Sequence, residues 1–191
     1  MINKIFIKKL KTDYQVKGIS RRKIISRANE VLFLSKKTIF ALHRNNEVLA
    51  KENFKLIEIT LKDMERNFTY ERLKEEGAYQ AAIEEYVEAK TLSFIIIGKK
   101  IDKIKGFEIG HDSYIGGLCD LIGEMVRLAT NRAAKGDYES ASTLKDQAEE
   151  IMMELLDFDL TGYLRTKYDQ ARGHLRKLEQ ITYDIKIHKD K

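Results

Sequence analysis

An all-α fold, a single-domain antiparallel bundle of about six helices, is what this sequence predicts, on three observations. Proline is absent from all 191 residues, which removes the commonest helix breaker and lets helices run long. Hydrophobic residues make up 43% and charged residues 34%, the balance of a folded, soluble domain with one sizeable core. Apolar side chains recur at steps of three and four, most clearly near the C-terminus, where Leu164, Tyr168, Ala171, Leu175, Leu178, Thr182 and Ile185 form a seam for another helix, within the subunit or across an interface.

The helices are expected near residues 14–45, 47–76, 78–98, 112–134, 138–157 and 159–187. The only long loop is 98–110, which carries three glycines. Asp112-Ser113 can cap the fourth helix, Gly136 can end it, and Asp137 can cap the fifth. The third helix buries a stripe of Tyr79, Ile83, Tyr86, Val87 and Phe94.

Charge is spread unevenly. Residues 1–45 hold twelve Lys and Arg against Asp13 and Glu30, while the remainder holds 23 basic and 28 acidic residues. A basic block of this kind points to a polyanion, either nucleic acid or an anionic membrane, or else to a plain solvated face. The single cysteine, Cys119, excludes an internal disulfide and sits on an apolar helix face, so packing is its expected role. A reducing, cytoplasmic compartment is expected. The apolar start is too short for a signal peptide, and the longest apolar run, Phe94 to Ile97, is too short for a membrane span.

Two helices hold acids where a plain bundle would not. Between Tyr114 and Ala129 the only charged residues are Asp120, Glu124 and Arg127, which lie within about 60° of one another on the helix. Gly116 and Gly117 flank that arc, and the rest of the circumference is apolar. The acid stripe therefore faces a cavity, a partner charge or a metal. On the preceding helix, Glu85 and Glu88 stand three apart among small and apolar neighbours, Ala81, Ala89 and Leu92. Four carboxylates can thus converge between two packed helices, and carboxylate oxygens are the hard ligands that Mg²⁺ or Mn²⁺ prefers. A simple ion pair is the competing explanation, since Arg127 stands three residues after Glu124. No histidine stands three residues after any of these acids, which argues against a Glu-x-x-His di-iron site. His43, His111, His174 and His188 have no mutual metal spacing, and phosphate-loop, zinc-protease and serine-hydrolase motifs are missing.

Several strings together resemble the translin and Trax (translin-associated factor X) family. Ser35-Lys-Lys-Thr-Ile-Phe-Ala-Leu-His-Arg44 resembles its first-helix signature, and Glu85-Tyr-Val-Glu-Ala89 matches its EYVEA string. Asp112-Ser-Tyr-Ile-Gly-Gly-Leu-Cys-Asp-Leu-Ile-Gly-Glu-Met-Val-Arg127 resembles its DYLxGxxDLxGELxR stretch. Gly136-Asp-Tyr138, Lys167-Tyr-Asp169 and Tyr183-Asp-Ile-Lys-Ile187 come next, in the family's order. The similarity runs from about residue 20 to the end.

The resemblance implies a bundle of seven or nearly seven helices that closes into an octameric shell around RNA. It also implies a Trax-like catalytic subunit of the RISC-promoting endoribonuclease type, using Mg²⁺ (or Mn²⁺) on single-stranded RNA, with single-stranded DNA as a second ligand. Its catalytic, metal-binding acids would be Glu85, Glu88, Asp120 and Glu124. RNA contacts are expected from Lys36, Lys37, His43, Arg44, Arg127, Arg165 and Lys167. The chain lacks the long loop that many Trax proteins insert between the acid helices, and its Tyr183-Asp-Ile-Lys-Ile187 is more translin-like, so one chain would fill both roles as a homo-oligomer. The alternatives are a non-catalytic translin-like module for single-stranded RNA or DNA, and a structural helical oligomer.

Overall fold

The structure, a computed structural model, describes residues 1–189, with side chains through Ile187, so that the His188 side chain lies outside it. Among the described residues there are seven helices and no strand: α1 (Lys4–His43), α2 (Glu47–Asn67), α3 (Tyr70–Leu73), α4 (Gly77–Ile96), α5 (His111–Ala133), α6 (Tyr138–Leu156) and α7 (Gly162–Lys189). No helix among the described residues is long and apolar enough to cross a membrane. In space α1 packs on α2 and α4, α4 on α5, and α5 on both α6 and α7, which also pack on each other. α4 and α5 therefore lie at the centre, which is why their circumferences are apolar. Tyr86, Ile83, Leu92, Leu121, Ile122 and Met125 are all buried there.

Several boundaries differ from expectation, the largest differences for local reasons. α1 begins ten residues early, because the Asn3 side chain accepts hydrogen bonds from the backbone N–H of Ile5 and Phe6, at 3.0 and 3.1 Å, and no proline interrupts the helix beyond it. The extra turns are exposed, and the first ties to the body are Lys17–Glu75 at 2.9 Å and Arg21–Glu76 at 3.3 Å. The expected 47–76 helix breaks at Phe68, whose backbone is extended, and Thr69 caps the short α3 by accepting from Arg72 N–H at 3.3 Å. α5 starts at His111 with Gly110 as its N-cap and no side-chain cap, so Asp112-Ser113 does not cap it; Asp112 lies in the first turn and Ser113 is buried. α7 starts at Gly162 instead of 159.

Other expectations hold. Gly136 leaves α5 with φ +80°, a conformation that favours glycine, and Asp137 caps α6 by accepting from Ser140 N–H at 3.2 Å. The 98–110 loop is irregular, pinned by buried Ile104 and by the Tyr114 hydroxyl donating to the Asp102 carbonyl at 2.8 Å. The C-terminal seam closes within the subunit: Tyr168, Ala171, Leu178 and Thr182 are buried where α7 meets α5 and α6. That seam is thereby removed as a reason to expect oligomerisation.

Candidate functional site

Two glycines set the distance between α4 and α5. A Cβ at Gly117 would lie 2.7 Å from Val87 Cβ and 2.8 Å from the Glu84 carbonyl oxygen, and one at Gly116 would lie 2.9 Å from the Glu84 carboxyl carbon. No other residue fits at Gly117 without moving backbone. This close approach brings the carboxylates of α4 and α5 into one electrostatic neighbourhood.

The chemistry of that neighbourhood is unequal. Glu88 is 8% exposed, and its carboxyl group takes no hydrogen bond from any described residue. Burial, reinforced by the charges of Glu85, Asp120 and Glu124, pushes its carboxyl up to about 9. Glu85 is also raised, first by burial and then by Asp120 and Glu124, against the opposing charge of Lys36 with its Nζ 3.9 Å away. Burial alone would raise Glu124 most, but the hydrogen bond and charge of His43, with Arg127 added, outweigh it and hold Glu124 below the usual carboxylate range. His43 meets Glu124 through Nε2, while its buried Nδ1 has no partner. Arg127 Nη1 stands 3.6 Å from Glu124.

Asp120 is paired with Lys167 of α7, whose ammonium also lies 2.9 Å from Glu84. The Tyr163 hydroxyl donates to Glu84 at 2.8 Å. Burial works against the Lys167 ammonium, but the hydrogen bonds with Asp120, Glu84 and Tyr163 prevail and raise its pKa. Lys167 is thus a clamp between α7 and the two acid helices. Beside it, the His174 ring comes within 3.4 Å of where a Gly123 Cβ would be, and it senses both Asp120 and Glu124.

The sequence-derived set is therefore partly assembled. All four acids share one field, but among the described residues no three Asp, Glu, His or Cys side chains are arranged to hold a metal ion. Asp120 and Glu124 are engaged by cations, Glu85 has only Lys36 at 3.9 Å, and the Glu88 carboxyl has no ion-pair partner among the described residues. The donor chemistry fits a hard divalent cation, because buried, mutually repelling carboxylates are what such an ion relieves.

The expected RNA contacts divide. Lys36, Lys37, Arg44, Arg127 and Arg165 lie at or near the surface, Arg165 held by Asp169 at 3.1 Å. His43 and Lys167 do not: both turn inward onto acids, with side chains only 3% and 14% exposed, because a buried carboxylate attracts the nearest donor. Sequence reasoning missed Glu84 and Tyr163. Glu84 is detectable in principle, standing four residues before Glu88 and hence on the same helix face. Tyr163 is fixed only by the docking of α7. Cys119 is 1% exposed, and its thiol is pushed up to about 11 by burial and then by Asp120, consistent with a packing role.

An α-helical bundle whose two central helices present clustered carboxylates, flanked by a cationic first helix, defines the class of protein. A model of the translin family matches residues 20–189, and the chain belongs to the translin family. It is 27% identical to translin of Mus musculus over 154 residues, 72% of this chain and 68% of that protein. It is also 29% identical to translin of Gallus gallus over 93 residues, 48% of this chain. The matched part spans only 41% of the chicken protein. In three dimensions the fold is similar to that of AfC3PO in its complex with duplex RNA, with a TM-score of 0.84 at 21% identity, covering 95% of this chain and 97% of that one.

Proposed function

We propose that this chain is a Trax-like, Mg²⁺- or Mn²⁺-dependent endoribonuclease of the translin family, which binds and cleaves single-stranded RNA inside a cytoplasmic homo-octamer. The observation that supports catalysis over mere binding is Glu88, buried beside Glu85 at the centre of the bundle with no ion-pair or hydrogen-bond partner for its carboxyl group among the described residues. A structural role would leave buried carboxylates paired, and Glu88 is not.

Glu85 and Glu88, joined by Asp120 and Glu124, would hold the cation. Bound there, it would stabilise charge on the phosphoryl oxygens and acidify a water for attack. The chain's own residues prepare the site. His43 fixes the rotamer of Glu124 through Nε2, and Lys167 fixes Asp120 against Glu84. Lys36 stands beside Glu85 on the surface, where its charge also attracts a phosphate. Lys37, Arg44, Arg127 and Arg165 supply further phosphate contacts on the approach, with single-stranded DNA as a second ligand. One observation favours a non-catalytic translin-like binder instead: Lys167 already supplies the positive charge that Asp120 would otherwise take from a metal.

Purified protein incubated with a labelled, unstructured RNA separates the two. Cleavage with Mg²⁺ that EDTA abolishes supports the enzyme; salt-sensitive binding without product under both conditions selects the binder. Binding itself has a separate signature. Replacing Lys37 and Arg44 together with Ala should weaken affinity for all RNA sequences alike, because phosphate contacts carry no base information. The log–log salt dependence should flatten by about one unit or more, at ~0.7 per phosphate contact on single strands. Salt titrations of both proteins check this, and an unchanged slope would place these side chains off the RNA.

A further inference from the structure

Next to the acids, the outer face of α1 carries more than cations. Phe33, Lys37, Phe40 and Arg44 recur at steps of four, three and four, which puts all four within about 60° of one another on the helix. Phe33 is 63% exposed and Phe40 45% exposed, two large rings left in solvent two turns apart. Each ring carries the cation four residues further on: Lys37 Nζ lies 5.9 Å from the centre of Phe33, and the Arg44 guanidinium carbon lies 4.1 Å from the centre of Phe40. The row borders the acid site directly. Lys36 and His43, the neighbouring stripe of the same helix, reach Glu85 and Glu124.

A row that binds phosphate alone has no use for exposed rings, and a purely apolar contact has no use for a cation stacked on each ring. Alternating π-faces and positive charges complement a polymer that alternates flat bases and anionic phosphates. We propose that this row is a stacking platform for the unpaired nucleobases of RNA. Phe33 and Phe40 take bases, Lys37 and Arg44 take the flanking phosphates, and the strand is led past Lys36 to Glu85. The proposal rests on the RNA-cleaving function above and deepens it, because it gives the chain a physical means of selecting unpaired strands. In a duplex the base faces are already covered, so only the cations engage it.

The chain contains no tryptophan, so Phe40→Trp introduces a single fluorescent reporter on the row. Oligouridine titrated into this variant in EDTA should quench its emission saturably, whereas a duplex at equal phosphate concentration should leave emission nearly unchanged. Phe33→Ser combined with Phe40→Ser should weaken oligouridine binding by at least ~5-fold, the lower end of what losing one stacked base costs, with duplex binding altered no more than about twofold. Both rings are exposed, so the double variant should keep the melting temperature and the mass measured by light scattering. Binding of oligouridine with unchanged emission would overturn the platform while leaving the cleavage function standing. A fall in mass for the double Ser variant would make the face a contact between copies and overturn it as well. Failure of the unaltered chain to bind RNA at all would overturn the platform and the cleavage function together.

Discussion

Asp120→Asn is expected to lower the single-turnover rate of RNA cleavage on the order of 10²-fold or more, corresponding to a loss of several kcal/mol at the chemical step. The substitution keeps the shape and an oxygen acceptor for Lys167 but removes one negative charge from the proposed cation site. RNA affinity should hold or rise slightly, since one carboxylate that repels phosphate has gone. If Asp120 serves only to anchor Lys167, cleavage persists and the loss appears in thermal stability. Cleavage at saturating protein, measured beside a binding titration and a melting curve, distinguishes these outcomes. The expected Arg127–Glu124 pair forms, at 3.6 Å, while Asp120 is held across helices by Lys167.

The second large effect falls on stability, at Lys167. Lys167→Met removes the ammonium that bridges Glu84 and Asp120, leaving two carboxylates without their cation between packed helices. Breaking a buried pair costs roughly 3–5 kcal/mol, and the lower end applies because Tyr163 still donates to Glu84 at 2.8 Å and Asp120 is a third exposed. For a chain of this size about 3 kcal/mol lowers the melting temperature by roughly 6–12 °C. Glu84→Gln in the Lys167→Met background should recover part of that loss. A melting temperature unchanged by Lys167→Met would show that the clamp does not hold α7 to the acid helices. Mg²⁺ should also stabilise the Lys167→Met variant more than the unaltered chain, because the ion then meets Asp120 without a competitor.

Legibility in the sequence depends on which interactions are local. The helical bundle and the acid arc of α5 rest on periodicity, so proline-free spacing and the helical wheel through Asp120 and Glu124 suffice to find them. Gly116 and Gly117 flank the carboxylate arc on that wheel, although the atoms they make room for belong to Glu84 and Val87. The early start of α1 is not legible, because its first turns bury nothing and show no core stripe; only the Asn3 cap marks them. The break at Phe68 is hidden because the apolar pattern continues across it. Partner choice is the least legible. His43 and Lys167 look like nucleic-acid contacts when read along the chain, yet docking of α1 and α7 carries them to Glu124 and Asp120. Such pairings span 81 and 47 residues and have no local signature.

The claim on which the rest depends is that Glu85, Glu88, Asp120 and Glu124 form one divalent-cation site. Mn²⁺ binding, monitored by the loss of the free-ion electron paramagnetic resonance signal, tests it without RNA or turnover. The unaltered chain should take up Mn²⁺ saturably, Mg²⁺ should displace it, and Glu88→Gln and Asp120→Asn should each weaken uptake by about 10-fold or more, or ~1.4 kcal/mol. Equal Mn²⁺ uptake by the unaltered chain and both variants, or none by any of them, would contradict the site.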